Sequence, residues 1–204
     1  MSKDAIVFTL IGYFSGSILY APLFGKLLKG RDILEESRDQ NPGTANAFMY
    51  GGFLCGILTL CCDLVKGFFP VYLYLRIGNR PIGAELAMVL AAPVVGHIFP
   101  VFFGFRGGKG IATSFGSLLG LLPETVPVLL LAGTFLFFTF VLRVRPHYYR
   151  TALTYLITMV LMILLCRVKG IVYGFSIITL SVLIRLGISR EEKGAFEVQY
   201  LWRH

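Results

Sequence analysis

Charge is scarce in this chain. Only 15% of its 204 residues are Asp, Glu, Lys or Arg, against roughly 25% in soluble domains. With 56% hydrophobic residues and a mean hydropathy of +0.75, this excludes an ordinary water-soluble domain and points to an integral membrane protein. Metal-ligating patterns are missing too. The four cysteines, Cys55, Cys61, Cys62 and Cys166, lie in apolar runs with no CxxC or Cys/His spacing, so they are expected to be small buried hydrophobes, with no disulfide, no metal and no cofactor. No stretch fits GxGxxG or GxxxxGK[ST], so no nucleotide fold is implied, and there is no internal repeat of the kind found in many transporters. The formal net charge is +8, but the basic residues sit in short loops between apolar segments, as at the cytoplasmic ends of membrane proteins. Nucleic acid is therefore not an expected partner; the lipid bilayer is.

What is present is a series of apolar runs. Ala5–Phe24 is long enough to cross a bilayer. It lacks a basic N-terminal region and a small-x-small cleavage site, which favours a first helix over a signal peptide. A polar loop, Gly25–Ala47, follows. Phe48–Leu75 is apolar but interrupted by Asp63, Lys66, Gly67 and Pro70, which predicts a broken helix making one net crossing. After loop Gly78–Gly83 come helices at Leu86–Phe103, Ile111–Leu122, Thr125–Leu142, Thr151–Cys166 and Ile171 to about Leu186, with Pro123-Glu124, Arg143–Arg150 and Arg167–Gly170 between the later ones.

The expected fold is thus a single all-α polytopic membrane domain over residues 1–204, with seven transmembrane helices and a polar tail at 187–204. Thirteen basic residues fall on the side of Gly25–Ala47, Gly104–Gly110, Arg143–Arg150 and the tail with Arg185; only Lys3, Arg76, Arg80, Arg167 and Lys169 fall on the other. The positive excess marks the cytoplasmic side, which puts the N-terminus outside and the C-terminus inside.

The stretch Gly96–Thr113 is the densest in chemistry-bearing residues. Gly107, Gly108 and Gly110 surround Lys109, with Arg106 just before and a helix opening at Ile111. Glycines let backbone approach a ligand, and the first N–H groups of a helix are unpaired and carry the positive end of its dipole. An anion site or a plain tight turn both fit. His97 is a catalytic candidate or a satisfied structural residue. Asp63 and Lys66 share a helix face at a spacing of three, either as a buried ion pair or as functional groups. Asn41 and Asn46, in Asn41-Pro42-Gly43-Thr44-Ala45-Asn46, offer two amides in a turn.

The order of these pieces, Asn-Pro-Gly-Thr-Ala-Asn, then Asp63-Leu64-Val65-Lys66-Gly67, then Gly96-His97-Ile98-Phe99-Pro100 running into Phe105-Arg106-Gly107-Gly108-Lys109-Gly110-Ile111-Ala112-Thr113, resembles the bacterial acyl-phosphate:glycerol-3-phosphate acyltransferases, the PlsY family. The resemblance implies acyl transfer from acyl phosphate to the 1-hydroxyl of glycerol 3-phosphate in phospholipid biosynthesis, in a bacterial inner membrane with the site facing the cytoplasm. An enzyme that makes the acyl phosphate is an implied partner. His97, Asn41 and Asn46 are then catalytic candidates. Arg106, Gly107, Gly108, Lys109, Gly110, Thr113, Asp63 and Lys66 are substrate-binding candidates, with glycerol 3-phosphate the expected occupant of the glycine-lysine loop.

This sequence departs from the family pattern in places. Arg38-Asp39-Gln40-Asn41 stands for Gly-Ser-Gly-Asn, which sets a carboxylate near phosphate unless Arg38 neutralises it. No His-x-x-Asn follows the last helix, and Arg145–Thr151 replaces a serine-bearing stretch, leaving His147 as a candidate substitute for the missing histidine. Besides acyl transfer, a membrane binder of phosphate-bearing lipid precursors that has lost the third motif also fits.

Overall fold

The computed structural model describes residues 1–37, 39–77, 83–189 and 194–200. Its helices are α1 (Lys3–Gly16), α2 (Tyr20–Lys29), α3 (Ile33–Glu36), α4 (Thr44–Gly51), α5 (Phe53–Ile77), α6 (Gly83–Ile98), α7 (Ile111–Leu119), α8 (Val126–Leu136), α9 (His147–Leu165) and α10 (Lys169–Ile188). A two-stranded antiparallel sheet joins β1 (Leu142–Arg145) to β2 (Glu197–Tyr200), pairing Leu142 with Tyr200 and Arg145 with Glu197. Among the described residues this pair is the one departure from helical architecture, and it occupies part of the expected loop Arg143–Arg150 and of the polar tail. Arg38, Arg80, Arg190, Lys193, Arg203 and the loop 78–82 lie outside the described residues.

Among the described residues, five helical segments are long and apolar enough to cross a membrane: Lys3–Lys29, Phe53–Ile77, Gly83–Phe103, His147–Leu165 and Lys169–Ile188. Val126–Val141 is apolar but shorter. α7 has nine residues, a rise of only about 14 Å.

Several boundaries differ from the pattern of apolar runs, among them α9, which starts at His147 rather than Thr151, and two differences bear on the packing. The first segment is kinked rather than straight, opening at Ser17–Leu19. The Ser17 hydroxyl donates to the Tyr13 carbonyl at 2.8 Å, the back-bonding that bends helices at serine. In the second, the break falls at Gly52, between α4 and α5, and α5 runs unbroken through Asp63, Lys66 and Pro70. Pro70 has no N–H for the Lys66 carbonyl four residues back, but the Ser15 hydroxyl donates to that carbonyl at 3.3 Å. A neighbouring helix thus satisfies the group the proline leaves open, as apolar surroundings require.

α6 is the central post, buried along most of its length. α1 crosses it through small residues: a Cβ on Gly16 would overlap the Pro93 carbonyl, and one on Gly96 the Tyr13 carbonyl. Small residues let helix backbones approach where the hydrophobic effect gives no drive to associate. The Tyr13 hydroxyl donates to the Phe99 carbonyl at 2.9 Å across the same contact. α10 packs on the other side of α6, with Gly174 against Ala87 and Leu90, and α7 packs on α5 through Gly67 and Gly116.

The bundle has two distinct ends. At one, Ser2 bonds Glu85 through its hydroxyl at 2.9 Å, and Gly170 meets Gly83. At the other gather the C-terminal ends of α6 and α10, the start of α7 and residues 39–46. Gly96→Val is expected to destabilise the bundle by ~2 kcal/mol through overpacking. A thermal scan of purified protein in detergent reads this as a lower melting temperature, and an unchanged transition would contradict the contact.

Candidate active site

The site is built on a buried cation. The Lys66 side chain is 2% exposed and lies 2.8 Å from Asp63 Oδ1, one helical turn back. Its ammonium donates to the Ile18 carbonyl at 2.6 Å and sits 2.8 Å from His97 Nδ1. The Ile18 carbonyl belongs to the open turn between α1 and α2, so it has no helical partner there. Lys66 therefore ties the kink of the first segment, α5 and α6 to one point. A lysine ammonium can only donate. His97 Nδ1 is therefore the acceptor, and the ring proton resides on Nε2. Asp63 is held in turn by the Thr44 hydroxyl, 3.5 Å from Oδ2 at the start of α4.

The glycine-lysine loop closes over this knot. Gly107 N–H donates to the Ile98 carbonyl and Gly108 N–H to the His97 carbonyl, both at 3.1 Å. These bonds satisfy carbonyls at the end of α6 that have no helical partner. A Cβ on Gly107 would overlap the His97 carbonyl, and one on Gly108 would overlap His97 Nε2. The two glycines thus serve a close approach of loop to helix, with His97 Nε2 turned toward Gly108. Their N–H groups are engaged by α6, so the anion-facing donors of this loop are the Lys109 ammonium and the first turn of α7, which opens at Ile111.

Residues 39–46 form the facing wall. Asp39 Oδ1 accepts from the Asn46 amide at 2.7 Å and from the Asn41 N–H at 3.2 Å, and its other oxygen lies 4.0 Å from the Lys109 ammonium. The Asn46 amide also donates to the Asn41 carbonyl at 2.9 Å. The carboxylate that the sequence sets close to phosphate is thus engaged by an amide, a backbone N–H and a lysine, and Arg38 lies outside the described residues. Asn41 Oδ1 is buried with no hydrogen-bond partner among the described residues.

Between these walls lies a cavity of about 470 Å³. Asn41, Asn46, Asp63, His97, Lys109 and Gly110 line its polar part, with His147 at the start of α9. Met49, Leu60, Phe115 and Phe135 form an apolar flank. Segments far apart in sequence are brought together here. Lys66, Gly107 and Gly108 stand behind the wall. Thr113 is buried where α7 meets Gly67 of α5. Arg106 lines a separate cavity of about 270 Å³ with Asp39, Gln40, Phe105, Arg185 and Ile188. One arginine at a helix end carries no local signal of a site, so in the sequence Arg185 is distinct only as a positive charge beside the tail. Met49 and Phe135 were equally indistinct among the many apolar residues.

The chain is an all-helical bundle, apart from one strand pair among the described residues, with a part-apolar, lysine-bearing cavity at one end, the architecture of an integral membrane protein. The sequence profile described as Glycerol-3-phosphate acyltransferase matches residues 6–191, and the chain belongs to that family. It is 42% identical over 113 residues to a glycerol-3-phosphate acyltransferase of Shewanella halifaxensis, covering 55% of each chain. It is 41% identical over 118 residues to one of Albidiferax ferrireducens, covering 56% of this chain and 52% of that one. The chain spans about half the length of the curated relatives it matches. The fold resembles the crystal structure of PlsY (YgiH), an integral membrane glycerol 3-phosphate acyltransferase, in its glycerol 3-phosphate form, with a TM-score of 0.75 at 25% identity over 89% of this chain and 87% of that one. Its lysophosphatidic acid form matches with a TM-score of 0.71 at 22% identity over the same shares.

The Lys66–His97 geometry is testable directly, because the sequence has only three histidines. In protein labelled with 15N-histidine, His97 is expected to give the signature of the Nε2–H tautomer, and Lys66→Met to lose it. An Nδ1–H signature in the unaltered protein would contradict the assignment. Lys66→Met is also expected to cost ~3–5 kcal/mol by leaving Asp63 buried and unpaired.

Proposed function

We propose that this chain transfers an acyl group from acyl phosphate to the 1-hydroxyl of glycerol 3-phosphate, giving lysophosphatidic acid and phosphate. The observation that carries the reading is the cavity in which Lys109, the start of α7, Asn41, Asn46 and His97 face an apolar flank. The family of the chain and the ligands named for its structural neighbour support it.

In this mechanism the glycerol 3-phosphate hydroxyl oxygen attacks the acyl carbon, the bond from that carbon to the phosphate oxygen breaks, and phosphate departs with the electron pair. Acyl phosphate carries a good leaving group, so positioning and charge stabilisation supply most of the acceleration. Lys109 and the first turn of α7 hold a phosphate. Asn41 and Asn46 orient the reacting groups, and His97 Nε2–H donates toward the developing negative charge. Because His97 offers a proton rather than a lone pair, the hydroxyl proton passes to a phosphate oxygen of the substrates. The apolar flank receives the start of the acyl chain.

The same reading extends to topology. The kinked Lys3–Lys29 segment, α5, α6, α7, α8, α9 and α10 make seven passes, with the N-terminus outside a bacterial inner membrane and the cavity on the side that the positive excess of the loops assigns to the cytoplasm. An enzyme that produces acyl phosphate is the natural supplier of the donor.

Two experiments test this. Purified protein in detergent is expected to release phosphate from a synthetic acyl phosphate only when glycerol 3-phosphate is present, and Lys109→Ala to slow that release by ~10²-fold or more; acceptor-independent release, or a near-normal rate in the variant, would count against the mechanism. With the native cysteines replaced, Arg31→Cys and Ala195→Cys are expected to react with a membrane-impermeant thiol reagent only after the cells are opened, and Lys169→Cys to react from outside; the reverse pattern would invert the topology.

A further inference from the structure

Between the end of α6 at Ile98 and the glycine-lysine loop, the chain makes one turn of 3-10 helix, Val101–Phe103, closed by Gly104. Four of the five residues from Val101 to Phe105 are large and apolar, and they point outward. Phe102 is 60% exposed and Phe105 58%, with Val101 and Phe103 exposed beside them. Loops covered by water are built from polar residues. A contiguous apolar surface marks a contact with a protein or with a membrane.

Continuity and strain both identify the membrane. The apolar segment Gly83–Phe103, one of those long enough to cross a bilayer, runs past the end of α6 into this turn. The Phe102 ring lies 6.2 Å from that of Phe14. It shares with Ile11, Phe14 and Ile18 a shallow groove of about 510 Å³, and those three residues are the exposed face of the first apolar segment. The Val101 N–H donates to the Ser17 hydroxyl oxygen at 3.4 Å, which holds the turn against the kink. The lipid-facing surface of that segment therefore continues onto the turn. Phe105 adds the second observation. Its φ is +60°, in the left-handed region that bulky side chains seldom occupy, and such a conformation persists only where the surroundings compensate it. Its N–H donates to the Pro100 carbonyl at 2.9 Å, but its ring finds little cover within the chain. Arg106, also exposed, follows directly. Rings beside a cation suit the edge of a bilayer, where hydrocarbon gives way to phosphate.

We infer that Val101–Phe105 is a lipid anchor, whose Phe102 and Phe105 rings enter the bilayer leaflet on the side of the cavity and pack against phospholipid alkyl chains. The burial that the protein does not give these rings comes from the membrane, and it offsets the strained backbone at Phe105. The anchor has a consequence for the site. The glycine-lysine loop begins directly after it, so Lys109 is tethered at the depth of the lipid headgroups rather than on a loop standing in water. A substrate with an alkyl chain then meets the lysine with its chain still in the leaflet. The anchor rests on the membrane-spanning fold and holds whether or not the chain transfers acyl groups.

The test measures depth by fluorescence, with the full chain reconstituted in phosphatidylcholine–phosphatidylglycerol vesicles. The single tryptophan is removed as Trp202→Phe, and one tryptophan at a time is then introduced as Phe102→Trp or Phe105→Trp. Leu164→Trp, on the exposed apolar face of α9, supplies the lipid reference, and Arg31→Trp, in the polar loop, the aqueous one. Phospholipids brominated on their alkyl chains are expected to quench both Phe102→Trp and Phe105→Trp at least about half as strongly as Leu164→Trp. Aqueous acrylamide is expected to quench both at least about threefold less than Arg31→Trp. Quenching by acrylamide at both positions to the level of Arg31→Trp, with none by brominated lipid, would overturn the anchor. Lipid quenching at Phe102→Trp alone would overturn it too, since the surface of the first segment would then end before the loop. Each variant is checked by its melting temperature in detergent. Where Phe105→Trp melts early, Phe103→Trp reports on the same turn, and the same outcomes decide.

Discussion

A lysine ammonium in the apolar interior organises this protein. Removing a charge from water costs several kcal/mol even after relaxation, and Lys66 persists because the Asp63 carboxylate, the Ile18 carbonyl and the His97 ring surround it at 2.6–2.8 Å. Each contact solves a separate problem. The pair with Asp63 neutralises two buried charges, the bond to Ile18 satisfies a carbonyl exposed by the kink, and the contact with His97 fixes which ring nitrogen is protonated. Withdrawing the ammonium would leave all three groups open at once. The kink, the unbroken α5 and the end of α6 are therefore one structural unit.

The glycines matter because this unit leaves little room. α1 makes its closest approach to α6 where Gly16 and Gly96 present bare backbone, and that approach brings the Ile18 carbonyl within range of Lys66. Gly107 and Gly108 then fold against the end of α6 and close the space around His97. Their N–H groups are engaged in that closure, which leaves the positive character of the loop to Lys109 and the helix it starts. A loop that looks from its composition like a ring of backbone donors is, once folded, a lid on a histidine with a charged tip.

Asp39 shows how a departure from a family pattern is accommodated. A carboxylate beside phosphate is unfavourable in isolation, yet here it holds the Asn46 amide and the Asn41 N–H while facing Lys109. It fixes the geometry of the turn that carries both asparagines. It also stands between the Lys109 cavity and the pocket of Arg106 and Arg185, so the wall that orders the amides also divides the positive charge of the site.

Much of this was legible in the chain itself. Composition determines a membrane protein, because 56% hydrophobic residues with 15% charged ones cannot be accommodated in water, and the apolar runs give the main helices, because a bilayer demands length and lack of charge. The pairing of Asp63 with Lys66 follows from a spacing of three on a helix. The motifs around His97 and Lys109 mark the family through residue identity alone. Other features depend on partners remote in sequence. The kink at Ser17–Leu19 is fixed by Lys66, nearly 50 residues away, and α5 passes through Pro70 because Ser15 takes up the freed carbonyl. The break at Gly52 lies outside the polar residues that drew attention to Asp63–Pro70. The tautomer of His97, the engagement of Asp39 and the meeting of Arg185 with Arg106 likewise required tertiary structure. Local sequence specifies hydrophobicity and helical period, but where a polar group in an apolar bundle finds its partner is decided by which helices pack together.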